Sequence, residues 1–96
     1  MQPLSYVKLA AQNALLGAVV HELRAVSIDI EFQSKKFIVY FFYDGEISDE
    51  LFDLASVAIT EMSADVAEYE LDDHIERLDF PEKIPTQGHL VYLRKE

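Results

Sequence analysis

The sequence predicts an α+β fold: a single domain over residues 1–96, with the element order α-β-β-α-β-β. A mainly antiparallel sheet with two helices packed on one face is the architecture that this order favours. Three observations carry the prediction. Residues 4–20 and 49–66 place apolar side chains at helical spacing. Val26, Ile28, Ile30 and Phe32 alternate with Ala25, Ser27, Asp29 and Glu31, as a strand with one buried face requires. Short polar or Gly/Pro-bearing stretches, 33–36, 44–45 and 81–88, separate the periodic segments. A chain of this length, half hydrophobic and with 11 Phe and Tyr, can bury a core without metals or disulfides.

Pro3 suits the first helical turn, where no amide donor is needed. In the helix that follows, Leu4, Val7, Ala11, Ala14, Leu15 and Ala18 share one face, opposite Ser5, Lys8 and Gln12. Leu16 and Val19 make the outer face apolar near the end, so that end is expected to be covered. Gly17 weakens the helix, which is expected to fray or stop near it. The first strand follows, then residues 33–36 as a hairpin loop. Residues 37–43 are apolar or aromatic on both faces and read as a central strand.

Asp44-Gly45 is a turn pair. Ser48 reads as the N-cap of the second helix, with Asp49 and Glu50 favourably placed against its dipole. That helix should turn Leu51, Phe52, Ala55, Ala58, Ile59, Met62 and Val66 inward, and Asp49, Glu50, Asp53, Ser56, Thr60 and Glu61 outward. Val57 falls in the middle of the outer face. It is either an ordinary exposed residue or an apolar contact inside an acidic rim. Residues 69–80 read as a third strand, with a change of parity between Ile75 and Leu78 that implies a bulge or twist. A loop over 81–88 leads to a last strand over 89–94, so that two hairpins each follow a helix. The expected core is Val26, Ile28, Ile30, Val39, Phe41, Phe52, Ala55, Ile59 and Met62.

Charge is the second strong signal. Residues 44–82 hold 14 acids and one strong base, Arg77, a charge of −13. The other 57 residues hold 4 acids and 7 bases, or +3. Such a field repels nucleic acid and anionic lipid and attracts a basic protein or a cation. A solvated face that keeps a small protein soluble is the simpler explanation. It accounts poorly for so many acids with no interleaved bases.

No catalytic, cofactor or metal site is expected, and the chain does not read as an enzyme. It has no cysteine, so a thiol nucleophile and thiolate zinc ligation are excluded. His21, His74 and His89 are scattered, and Asp44-Gly45-Glu46 lacks the spacing of a calcium loop. His74, beside Asp72, Asp73 and Glu76, is the only residue worth testing for acid/base chemistry; a surface histidine on a hairpin is the simpler reading. The lack of cysteine fits a reducing compartment. Neither a basic leader nor an apolar run of membrane-spanning length is present, so a cytoplasmic location is expected.

Several stretches together resemble a known group. They are the opening Leu4-Ser5-Tyr6-Val7-Lys8-Leu9-Ala10-Ala11-Gln12-Asn13-Ala14-Leu15, then Tyr43-Asp44-Gly45-Glu46-Ile47-Ser48, then Arg77-Leu78-Asp79-Phe80-Pro81-Glu82, and the final Leu90-Val91-Tyr92-Leu93-Arg94-Lys95-Glu96. The chain is similar over nearly its whole length to small bacterial immunity proteins of polymorphic toxin systems, such as contact-dependent growth inhibition. The resemblance implies a cytoplasmic protein that binds a toxin domain delivered by a sibling cell. Many such toxins are nucleases with basic clefts. The expected partner is therefore a basic toxin domain, bound one-to-one by a protein that is a monomer when free. Candidate partner-binding residues are Asp44, Glu46, Asp49, Glu50, Asp53, Val57, Glu61, Tyr69, Asp72, Asp73, Glu76 and Asp79. Tyr69, Val57 and Tyr43 are candidate apolar anchors. The rival reading is a structural or homo-oligomerisation module in which strand 37–43 pairs across a dimer.

Overall fold

In the computed structural model, residues 4–85 and 88–96 are described; Pro3 and the Thr86-Gln87 part of the last loop lie outside them. The frame is an antiparallel hairpin of β1 (Leu23–Glu31) and β2 (Lys36–Tyr43), paired from Leu23↔Tyr43 to Glu31↔Lys36. Lys35, at φ 55, turns the chain between them. Before the hairpin comes α1 (Leu4–Ala14), which tightens into a 3-10 turn at Leu15–Gly17, where the glycine was expected to stop it. After it come α2 (Asp49–Ala64), β3 (Glu70–Arg77) and β4 (His89–Leu93). Two of the three strand pairings are antiparallel, and the element order is the one expected.

The pairing of β3 is not the one expected. The four strands lie in the order β3-β2-β1-β4, so β3 and β4 occupy opposite edges and form no hairpin. β3 runs parallel to β2, from Lys36↔Glu70 to Tyr43↔Arg77 without a register shift. The crossover through α2 permits this, because a helix can carry the chain back to the same end of the sheet. No bulge separates Ile75 from Leu78: the strand ends at Arg77, one residue before Leu78, whose amide still donates to the Tyr43 carbonyl at 2.8 Å. The irregularities lie instead in the β1 pairings, at Leu23/Ala25 and at Val26/Ser27. β2 is central, with β1 and β3 on either side. Its backbone is therefore committed on both edges, and it cannot pair across a dimer.

Val26, Ile28 and Ile30 pair with Phe41, Val39 and Phe37, and all six face the helices as the core. Ala55, Ile59 and Met62 of α2 and Val7 and Ala11 of α1 close over them. α2 contacts β2 and β3, and α1 contacts α2 and β4. Ser48 caps α2 by accepting the Leu51 amide at 3.2 Å. Phe52, expected in the core, is 52% exposed. The inward arc of α2 centres on Leu51, Ala55, Ala58 and Met62, and Phe52 sits 100° round from Leu51, on its flank. The end of the first helical segment, expected to be covered, is open: Leu16, in the 3-10 turn, is 83% exposed, and Val19 is exposed too.

Candidate functional site

Helical periodicity fixes the outer surface of α2. With Leu51, Ala55, Ala58, Ile59 and Met62 inward, Asp49, Glu50, Asp53 and Glu61 have no alternative to solvent. α2 contains no basic residue. Among the described residues, none of these four carboxylates takes a hydrogen bond or ion pair. Val57 lies among them at 60% exposure, beside a shallow hollow of about 270 Å³ lined by Ser56, Val57, Thr60 and Glu61. The surface is therefore an apolar centre rimmed by free negative charge.

The other acidic candidates lie elsewhere. Asp44 and Asp79 clasp one another's backbones. The Gly45 amide donates to Asp79 Oδ1 at 2.7 Å, and the Phe80 amide donates to Asp44 Oδ1 at 3.2 Å. Gly45 is at φ 89, a conformation that favours glycine. Arg77 donates to Asp79 and Arg94 to Asp44, so both carboxylates are already engaged. The Arg77 contact, then the Gly45 amide, hold Asp79 below its usual pKa. Glu46 is exposed on the β2–α2 connection. Tyr69 packs against the core edge, its ring perpendicular to Phe32 at 6.3 Å. Tyr43 is fully buried, its hydroxyl pushed up to about 12 by burial and then by Glu22. It cannot anchor a partner.

Register decides where the β3 acids point. Asp72, His74 and Glu76 pair with Ile38, Tyr40 and Phe42, on the sheet face away from the helices. There His74 stacks on Tyr40 at 4.3 Å, Tyr40 stacks on Phe42, and Asp72 lies 3.0 Å from the His74 ring. Asp73, beside Val39, projects to the helix side. The acidic block of the sequence thus divides between the outside of the helix layer and the open face of the sheet. His74 is on an edge strand rather than a hairpin.

One residue escaped the sequence reading. Arg24 is 2% exposed, and each of its three guanidinium nitrogens donates a hydrogen bond. Its guanidinium donates to both Glu96 carboxylate oxygens at 2.7 and 2.9 Å, to the Leu78 carbonyl at 2.7 Å and to the Glu82 carbonyl at 2.8 Å. It also lies 5.8 Å from the Phe80 ring centre. The only signal in the sequence is an arginine flanked by Leu23 and Ala25 at the head of an apolar strand. Arg24, then Arg94, hold the Glu96 carboxyl at about 2. A depressed carboxylate stabilises the fold above its unfolded value and loses that contribution as pH falls through the folded one. Thermal midpoints are therefore expected to drop steadily from pH 4.5 towards pH 2. A flat profile there would show that the Glu96 contacts are weak in solution.

No helix among the described residues is long and apolar enough to cross a membrane. Among the same residues, no group of three or more His, Cys, Asp or Glu could hold a metal ion. No curated protein matches the chain. The family model described as the MafI2 immunity protein matches residues 5–96, from the first turn of α1 through β4, and the chain belongs to that family.

Proposed function

We propose that this immunity protein neutralises its toxin by laying the outer face of α2 over a basic substrate cleft, and that the toxin is a nuclease. Neutralising a toxin is the function of the family; the face and the target are the new content. The observation that carries the reading is the state of the α2 carboxylates. Asp49, Glu50, Asp53 and Glu61 are exposed and unpaired among the described residues, whereas Asp44 and Asp79 already hold the fold together. Free carboxylates around Val57 can pair with the lysines and arginines that otherwise hold phosphate. Covering those side chains removes the electrostatic attraction on which nucleic-acid binding depends. One copy covers one cleft, in the cytoplasm where the substrate is.

Opposite fields also steer the encounter, so association should be fast at low salt and slow as salt screens it. Reversing Asp49, Glu50 and Asp53 to lysine is expected to slow association with the toxin domain by at least about tenfold, since steering contributes roughly 10 to 1,000-fold to such rates. The fold should survive, because all three side chains are in solvent. Stopped-flow mixing at several salt concentrations, with survival of toxin-expressing cells, reads both effects. Wild-type association together with full protection would reduce the α2 acids to a solubility device.

A further inference from the structure

The helix layer contains a second feature that the acidic face of α2 does not explain. An open groove of about 320 Å³ runs between α1 and α2, lined by Tyr6, Leu9, Ala10 and Asn13 on one side and by Glu61 and Asp65 on the other. The two walls differ in chemistry. The α1 wall is largely apolar, with Tyr6 45% and Leu9 56% exposed. Tyr6, Leu9, Asn13 and Leu16 recur at helical spacing as an outer stripe, opposite buried Val7 and Ala11. The α2 wall is acidic. Neither the Glu61 nor the Asp65 side chain has a hydrogen-bond or ion partner among the described residues.

We propose that this groove receives an arginine or lysine side chain from the toxin domain. The inference rests on the reading that the helix layer faces the toxin. A long basic side chain matches both walls at once. Its methylene stem fits the apolar wall, and its charged head belongs beside the carboxylates. Tyr6 adds an aromatic ring that can take a cation on its face. Arginine matches best, because its planar fork can bond two carboxylates together. An apolar occupant would bury Glu61 and Asp65 without partners, which is unfavourable. A second copy of this chain would bring the same acidic rim against itself. The groove also adjoins the α2 surface, because Glu61 lines both the groove and the hollow beside Val57.

The arrangement divides the labour. Exposed acids on α2 govern arrival, and the groove governs departure, since a desolvated charge pair acts mainly on the dissociation rate. The test uses the purified toxin domain that this protein neutralises, with association read by stopped flow and dissociation by surface plasmon resonance. Two groove variants, Leu9→Ala and the double Glu61→Gln/Asp65→Asn, are compared with the Asp49/Glu50/Asp53 lysine reversal. Leu9→Ala removes only an exposed side chain, so it keeps the test open if the double variant folds poorly. Both groove variants are expected to dissociate at least about tenfold faster, with association within about threefold of wild type for Leu9→Ala and slowed as well in the double variant, because Glu61 also belongs to the acidic face of α2. Wild-type dissociation in both, with association still slowed in the reversal variant, overturns the groove and leaves the acidic face of α2 standing. The opposite pattern supports the groove and removes the steering role. A concentration-dependent homodimer in light scattering, abolished by Leu9→Ala, would assign the groove to a second copy and overturn the proposal.

Discussion

Ile59→Asp is expected to leave the domain unfolded at 25 °C. Ile59 is buried on α2 among Ala55, Ala58 and Met62, over the core face of the sheet. The change removes an apolar side chain whose burial contributes about 1.5–3 kcal/mol. It also places a carboxyl where no donor is available, at a further penalty of roughly 2–7 kcal/mol. Together these rival the whole stability of a small domain, about 5–15 kcal/mol. Far-UV circular dichroism with a thermal melt reads the result. A cooperative melt near the wild-type midpoint would mean that α2 does not pack as described.

Arg24→Ala should be nearly as damaging, for a different reason. Truncation leaves the Glu96 carboxylate, the Leu78 carbonyl and the Glu82 carbonyl without their donor. Glu96 is partly exposed, so water can take over its share, and the loss comes mainly from the two carbonyls, each of which costs roughly 1–3 kcal/mol when left without its donor. For a domain of this size, each 1 kcal/mol moves Tm by about 4–8 °C, so a fall of at least about 10 °C is expected. Arg24→Lys should recover only part of it, because an ammonium cannot reproduce the guanidinium fork. The decline between pH 4.5 and pH 2 should also flatten in Arg24→Ala, with Glu96 released from its main partner. A Tm within about 2 °C of wild type would show that solvent replaces these bonds freely.

The sequence made most of the helix-facing core legible because periodicity reports burial directly. Alternation in β1 placed Val26, Ile28 and Ile30, and helical spacing placed Ala55, Ile59 and Met62. Gly17 and Ser48 marked a helix end and a helix start through local backbone chemistry. Pairing was not legible, since nothing in residues 70–77 says whether they join β2 or β4, or in which direction. The same ignorance made the acidic block look continuous. Asp72 and Glu76 point away from the helices only because Ile38 and Phe42 are their partners. Asp44 and Asp79 looked like surface charge because the amides they hold lie 36 and 34 residues away along the chain. Phe52 was misplaced by reading an inward arc too wide. The long-range roles of Arg24 leave almost no trace in its neighbours.

The division of acids between two surfaces makes the central claim open to one direct measurement. Methyl cross-saturation NMR on the complex, with this protein labelled and the toxin domain protonated, reports which side chains lie at the interface. Leu9, Leu16 and Val57 mark the helix layer, and Ile38, Leu90 and Leu93 mark the open face of the sheet. The account predicts strong signal loss at Leu9 and Val57 and none at Leu90 or Leu93. Loss at Ile38, Leu90 and Leu93 with Val57 untouched would place the toxin on the sheet and contradict it.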